Sequence, residues 1–405
     1  MQDDVSKGIA QQTVVVILAA GRGTRMGRAD MAKVCFEIDG VPAINRLIET
    51  FRRNRFEKLV IVVGSLAGQV VETVGSEYPE VLFVSQMPQL GTGHAGKIVA
   101  DALQRMGHRG PVLLSLGDKY IDPAAVEKLV EGYIRQQADL ALLTVPRTRS
   151  TELSSGRVII NEAGQAVDII ERIDLARQAI ADELRRLIST GKRPNAEQIA
   201  KLTEKYIENP KKRAKAVPEL LELCKRNGDV DRGKLEATLA TAPYNLVIDD
   251  QPRNAAEIEN SCKQFNPSLY MFDAEAFYQG VAMIDNNNAQ HEYYLTDIVR
   301  HLAGVQNEDG SSRFRVRTVP IKKPELIQGF NSPEELLDIQ DYLRRSKKSD
   351  TSSLDMGGVK PNLTQRHYTT VQKWITRFES CPPPLKRWLK GVYGDHPKLH
   401  AEKCK

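Results

Sequence analysis

Two hydrophobic rhythms alternate along the first 150 residues. Thr13 to Leu18 is an unbroken apolar and β-branched run, the pattern of a strand covered on both faces. Ile44, Leu47, Ile48 and Phe51 then recur at helical spacing. "KLVIVVG" (58–64) reads as a second buried strand, Gln69–Val74 as a helix, "VLFVSQ" (81–86) as a third strand and "PVLLSLGD" (111–118) as a fourth. A helix over Pro123–Arg135 and a strand over "ADLALLTVP" (138–146) continue the alternation. Strand and helix in turn predict an α/β fold with a doubly wound, Rossmann-like mixed sheet. In such sheets ligands bind beyond the carboxyl ends of the strands.

Further along, Val158, Ile160, Val167 and Ile169 alternate around Gly164, which predicts a hairpin. The rhythm then turns helical from residue 174 to about 260. Asp174 is expected to cap a helix bearing Ile180, Leu184 and Leu187, with Gly191 as its stop. Pro194 opens another with Ile199, Leu202 and Tyr206, and Leu220, Leu221, Leu223 and Cys224 mark a third, ending at Asn227–Gly228. "NPKKRAKAVP" (209–218) reads as solvated surface. Ser332 and Glu335 have the spacing of a capping box for a last helix. The expected organisation is a body over 1–343, carrying a helical insertion at about 174–260, followed by a C-terminal helical tail over 344–405.

Composition narrows this picture. The chain has 405 residues, 41% apolar and 27% charged, as expected of a globular protein. No apolar run approaches membrane-spanning length, so no membrane partner is expected. The acidic, polar N-terminus does not read as a secretory signal. Five cysteines, odd in number and scattered, form no CxxC pair. They suggest reduced thiols in a cytoplasm rather than a disulfide frame or zinc site. The net charge of +5 is uneven. Residues 344–405 hold fourteen Lys/Arg against five Asp/Glu, a local +9 that leaves −4 for the body. An acidic body cannot attract a nucleotide by net charge; loops and a divalent ion must do so locally.

Candidate chemistry sits where strands end. After Leu18 the chain runs through Ala19, Ala20, Gly21 and Gly23, a stretch with almost no side chain, interleaved and followed by Arg22, Arg25, Arg28 and Lys33. Exposed amides followed by cations suit a polyphosphate. The alternative is an ordinary strand–loop with surface arginines. The dinucleotide fingerprint is excluded because Met26 stands where its third glycine belongs, and no Gly-Lys-Ser/Thr of a Walker loop is present. Gly91, Thr92 and Gly93 can open a helix whose amides meet a base edge or an anion. Asp118 follows the fourth strand, where it could hold a metal ion or simply cap a turn. His291–Glu292 begins like a zinc motif that Leu295 breaks.

"LAAGRGTRM" (18–26) with Lys33 shortly after, "KVCFEIDGVPAI" (33–44), "QLGTGHA" (89–95) and "NNNAQHEYYLTDIVRHLAG" (286–304) together resemble the sugar-1-phosphate nucleotidyltransferases. The likeness is closest to the uridylyltransferase half of the bifunctional N-acetylglucosamine-1-phosphate uridylyltransferases, and it covers about residues 13–173 and 262–340. It implies that Leu18, Ala19, Ala20, Gly21, Gly23, Gln86, Gly91 and Thr92 bind the nucleotide. It assigns Gly156, Glu171 and Asn266 to the sugar, and Asp118 and Asn331 to Mg²⁺. The implied catalytic residues are Arg25 on the leaving pyrophosphate, Lys33 between α-phosphate and acceptor, and Asp118. His94 is expected to support its loop rather than catalyse.

The implied reaction joins UTP and a sugar 1-phosphate, N-acetylglucosamine 1-phosphate or a related hexose phosphate, to give UDP-sugar and pyrophosphate. A cytidylyl- or guanylyltransferase on another phosphate, and a nucleotide-sugar sensor without chemistry, stay open beside it. Six positions depart from the resemblance. Ala32 stands for proline, Leu116 for an aromatic residue, Lys119 for a small apolar one, Pro267–Ser268 for Thr-Gly, and His291 for a glycine. The tail has no hexapeptide repeats, so the acetyltransferase half of the bifunctional members is not expected. The tail itself, with Trp374 and Trp388, is expected to dock on the body, or to join a homo-oligomer or downstream domain, rather than to bind nucleic acid.

Overall fold

A computed structural model describes residues 2–21, 23, 26–148, 155–225, 230–241, 244–248 and 251–352. The chain begins with helix α1 (Gln2–Gln12) and strand β1 (Val14–Leu18). A short hairpin follows, β2 (Glu37–Ile38) and β3 (Val41–Pro42), then α2 (Ala43–Arg53), β4 (Lys58–Val63), α3 (Ala67–Gly75), β5 (Leu82–Ser85), α4 (Thr92–Arg105) and β6 (Val112–Leu116). Next come β7 (Lys119–Ile121), α5 (Pro123–Arg135), β8 (Leu140–Pro146) and the hairpin of β9 (Gly156–Ile160) and β10 (Ala166–Ile170).

These strands explain the rhythm read from the sequence. β1 pairs in parallel with β4 and β6, and β4 with β5. Val15 and Ile17 of β1 face a core that includes Ile44, Leu47 and Phe51 of α2 and Val126 and Leu129 of α5. Val14, Val16 and Leu18 face the opposite core, with Val99 and Leu103 of α4. Both faces are covered, which is why the run is continuously apolar.

Residues 172–261, where the insertion is expected, form a mainly helical layer that packs Leu175, Ile248, Ala255 and Ile258 against Ile170 of the sheet. It comprises α6 (Arg172–Ser189), α7 (Ala196–Tyr206), α8 (Pro210–Ala216), α9 (Pro218–Cys224), α10 (Arg232–Leu239), the hairpin β11 (Leu246–Ile248) and β12 (Gln251–Arg253), and α11 (Ala255–Ser261). Ile180, Leu184, Ile199, Leu202, Val217, Leu220, Leu235 and Tyr244 form its own core, into which Ala289 of the body also packs. One expectation is corrected here. Asp174 does not cap α6: Glu171 holds the N-cap position, and Asp174 lies in the first turn, buried, accepting from Arg177 and from the Ala289 amide at 2.8 Å. The basic run 209–218 is largely exposed, as expected of a solvated surface, and most of it forms α8, started by Asn209, whose side chain accepts from the Lys212 amide. Asn227–Gly228 lie outside the described residues.

The chain returns through β13 (Gln264–Asn266), β14 (Leu269–Phe272), α12 (Ala274–Met283), α13 (Asp297–Gly304), β15 (Val316–Pro320), β16 (Ile327–Gly329) and α14 (Pro333–Ser352). The main sheet has the order β10-β9-β13-β8-β14-β6-β1-β4-β5, with β15 parallel on β8. β14 enters antiparallel between β6 and β8, so the expected mixed Rossmann-like sheet is present. β16 pairs with β7, drawing the chain before Asn331 up to Asp118. α14 packs Leu336, Ile339 and Leu343 against Met26, Ile38 and Tyr120, and continues through residue 344.

Candidate active site

The open ends of β1 and β6, the start of α4 and the β7–β16 ladder surround one cavity of about 420 Å³. It is lined by Leu18, Ala19, Ala20, Gly21, Lys33, Gln86, Gly91, Thr92, Leu116, Asp118, Gly156, Glu171, Asn266 and Asn331. Residues from widely separated parts of the sequence are thus brought together. Gly23 stands just behind the lining. It has φ +58°, and a Cβ there would lie 2.6 Å from Lys33 Cβ, so only glycine lets this turn pass over the lysine. Arg25 lies outside the described residues.

The turn after β1 is fixed at both sides. Ala19 N–H donates to Val62 O and Gly117 N–H to Leu18 O, each at 2.8 Å. Gln89 Nε2 donates to Ala20 O at 2.7 Å. Lys33 opens a short 3₁₀ turn and is largely buried, with its ammonium 5.4 Å from the Phe330 ring. Ala32, where the resemblance has proline, donates its N–H to Gln69 Oε1 at 2.8 Å, a bond no proline could make.

At the centre, Lys33 Nζ donates to Asp118 Oδ2 and to Asn331 Oδ1, the latter at 3.0 Å. Burial alone would raise the Asp118 carboxyl, but Lys33 and Lys119 together hold it below its ordinary range. Asp118 Oδ1 is buried without a hydrogen-bond partner. An unsatisfied carboxylate oxygen beside an amide oxygen is a hard donor set that fits Mg²⁺. Among the described residues, no three acidic or imidazole side chains gather as a metal site. A two-residue set suits an ion that takes its remaining ligands from phosphates and water.

The two flanks differ. On one, Gln86 Nε2 donates to Gly91 O at 2.9 Å and lies 3.2 Å from His94 Nδ1. Gly91 has φ +113°, and a Cβ there would come 2.5 Å from Tyr293 O. Leu295 N–H donates to Thr92 Oγ1 at 3.1 Å, and Gly93 N–H to Tyr293 O at 2.7 Å. The 286–304 stretch therefore braces the start of α4. On the other flank, burial raises the Glu171 carboxyl while the Thr296 hydroxyl, 3.0 Å away, opposes the shift. Asn266 donates to Tyr270 Oη at 2.6 Å and accepts from the Ser268 amide at 2.9 Å. Ser268 holds φ +67° where the resemblance expects glycine.

The cavity also takes in Lys119, Tyr270 and Gly329, which the sequence did not mark as site residues, and Gln89, Gln290, Tyr294 and Thr296 from the 89–95 and 286–304 stretches that carry the resemblance, the second of which was expected to be structural and pocket-forming. Lys119 carried a signal, as a cation directly after the strand-end aspartate. Tyr270 and Gly329 are brought in by strand pairing that no local pattern records.

Bare amides, an ammonium and an acidic strand end around one cavity define a phosphate-handling α/β domain of the nucleotidyltransferase type. The sequence matches the MobA-like NTP transferase domain over residues 15–208. It is 40% identical over 161 residues to the bifunctional protein GlmU of Cellvibrio japonicus, covering 40% of this chain and 33% of that protein. The GlmU proteins of Geobacter metallireducens and Geotalea daltonii are 28% and 25% identical, each over 82% of this chain and 50% and 53% of their own. The chain spans about half the length of these two relatives. A solved UDP-glucose pyrophosphorylase complexed with UDP-glucose aligns with a TM-score of 0.49 at 14% identity, over 82% of this chain and 99% of that one, and adds nothing to the argument. These matches support a likeness to the sugar-1-phosphate nucleotidyltransferases, near the GlmU proteins. Among the described residues, no helix is long and apolar enough to cross a membrane.

Proposed function

We propose that this chain transfers a nucleotidyl group from UTP to a sugar 1-phosphate, releasing pyrophosphate. The observation that carries this reading is the Lys33 ammonium between Asp118 and Asn331, beneath the bare turn that ends β1. Support for N-acetylglucosamine 1-phosphate or a related hexose phosphate as acceptor comes from the GlmU relatives and from the Glu171 carboxylate, which can accept sugar hydroxyls. Support for uridine comes from Gln86. Its amide nitrogen serves Gly91 and His94, which leaves its carbonyl to accept from the uracil N3–H.

In the proposed reaction an acceptor phosphate oxygen attacks the α-phosphorus of the nucleotide. A new P–O bond forms, and the bond from the α-phosphorus to the bridging oxygen breaks, releasing pyrophosphate. The phosphate nucleophile is already anionic, so no general base is needed. The obstacle is repulsion between two anions. Lys33 meets both reacting phosphates, the amides of residues 20, 21 and 23 cradle the triphosphate, and Arg25 takes the leaving pyrophosphate. Asp118 and Asn331 would hold Mg²⁺, which when bound draws charge off the phosphates. The compartment that fits these substrates is the cytoplasm.

The test is pyrophosphate release from five nucleoside triphosphates against a panel of sugar 1-phosphates, with and without Mg²⁺. Release with UTP and a hexose 1-phosphate is expected. Turnover with CTP or GTP alone would correct the base. Nucleotide-sugar binding with no metal-dependent turnover would remove the chemistry.

A further inference from the structure

Lys119 begins β7, directly after Asp118, and pairs across the ladder with Gly329. Its stem lies flat on that glycine: a Cβ on Gly329 would come 2.7 Å from Lys119 Nζ and 3.3 Å from its Cδ and Cε. The side chain is half-buried and lines the cavity. Four charged groups face the ammonium: Asp118, Lys33, Glu335 and Glu171. Each of the three acids already has another donor. Asp118 takes Lys33, Glu335 takes the Asn331 amide, and Glu171 takes the Thr296 hydroxyl. Among the described residues, the Lys119 ammonium makes no hydrogen bond or ion pair. A cation held in a recess without a partner is unfavourable unless an anion arrives to meet it.

We propose that Lys119 is a specificity-determining residue that grips the phosphate of the sugar 1-phosphate acceptor. The inference rests on the nucleotidyl-transfer reading for the identity of that anion. The triphosphate is assigned to the turn after β1. Lys119 lines the same cavity as the Asp118–Lys33 pair and Glu171, the carboxylate assigned to the sugar hydroxyls, and is within electrostatic range of all three. The group joining a bound sugar to the reacting centre is the phosphate on its anomeric carbon. The acceptor phosphate would thus meet two ammoniums, those of Lys33 and Lys119. The resemblance places a small apolar residue at this position, so the contact departs from that pattern.

The experiment compares the full chain with Lys119→Met, Lys119→Arg and Gly329→Ala. Each is titrated calorimetrically with N-acetylglucosamine 1-phosphate, with inorganic phosphate and with UTP in the presence of Mg²⁺, after circular dichroism confirms folding. Losing a charge-assisted contact is expected to weaken sugar 1-phosphate and phosphate binding about tenfold or more in Lys119→Met. UTP affinity is expected to stay within about threefold, because a residue serving the acceptor alone leaves the nucleotide contacts intact. Lys119→Arg recovers most of the loss, and Gly329→Ala, which pushes the ammonium aside, shows a smaller loss of the same kind. Where turnover is measurable, the acceptor KM rises and kcat changes little. Unchanged acceptor binding in Lys119→Met overturns the proposal, as does an equal loss for UTP and acceptor, or a wild-type chain that binds no sugar 1-phosphate. A chain that binds both ligands but releases no pyrophosphate overturns the catalytic reading alone, while the binding comparison still decides the role of Lys119.

Discussion

Lys33 and Asp118, separated by 85 positions in sequence, form an ion pair at the base of the cavity. The pair lies mostly out of solvent, with side-chain exposures of 10% and 24%. Its two members predict different losses. Lys33→Ala and Asp118→Asn are each expected to lower kcat by about a hundredfold or more, the usual effect of removing one group that stabilises developing charge. Their stabilities are expected to diverge. Lys33→Ala leaves a buried carboxylate with Lys119 as its remaining cationic neighbour among the described residues and is expected to cost about 2 kcal/mol, whereas Asp118→Asn removes the charge and costs less. Urea unfolding of both variants beside wild type checks the order. Equal midpoints would show that the pair carries no stability, and full activity in either variant would sink the catalytic assignment.

The parts of this site that could be read in the sequence are those with a local cause. A strand buried on both faces must be apolar throughout, so β1 was visible, and a turn bare of side chains is recognisable wherever it stands. α5, with Asp122 capping and Pro123 in its first turn, follows rules that act within a few residues. The route of β14 between β6 and β8 has no such cause, because its direction is set by where the insertion returns the chain. Helix α1 also went unread. Its apolar residues are few, and among the described residues of this helix only Ala10 is deeply buried. Asp174 misled for the same reason. Acidic residues near helix starts usually cap, but its partner, the Ala289 amide, lies 115 residues away. Lys119 was noticed only as a departure; the emptiness around its ammonium is a tertiary fact.

Ser268 predicts a gain in stability. A non-glycine residue at φ +67° sits in the left-handed region, which costs about 1–2 kcal/mol for an L-residue. Its hydroxyl also contacts Tyr270, which offsets part of that cost. Ser268→Gly keeps the amide that donates to Asn266 and relieves the backbone. A net gain of about 0.5–1 kcal/mol is expected, read as a higher thermal midpoint by calorimetry. A lower midpoint would mean that the hydroxyl outweighs the strain.

The insertion predicts a local unfolding unit. Leu184 is 1% exposed in a core that is almost wholly its own. Leu184→Ala is expected to cost about 3 kcal/mol. The loss is expected to appear as faster hydrogen exchange in α6, α7 and α9, with β1 and β4 protected as before. Uniformly faster exchange through the main sheet would show instead that insertion and body open together through the Ala289 contact.

Asp297 predicts a stability that falls as pH rises. Burial raises its carboxyl to about 7; Arg300 opposes the shift, while Asp168, Asp174 and Asp285 add to it. Asp168, buried nearby, is raised to about 6 by the same cause. An unfolded aspartate titrates near ~3.9. Between these two values the folded chain keeps a proton that the unfolded chain has released. The contribution of Asp297 is therefore full below about pH 4 and is lost as pH climbs through about 7. Its place in the first turn of α13 favours the charged form by only a few tenths of a kcal/mol, too little to reverse the sign. Asp297→Asn removes this titration with little change in shape. Its stability relative to wild type is expected to be greater at pH 8 than at pH 5, by on the order of 1–2 kcal/mol. Urea midpoints of both proteins at the two pH values decide the matter, because parallel shifts would mean that Asp297 titrates in the folded chain as it does in the unfolded one.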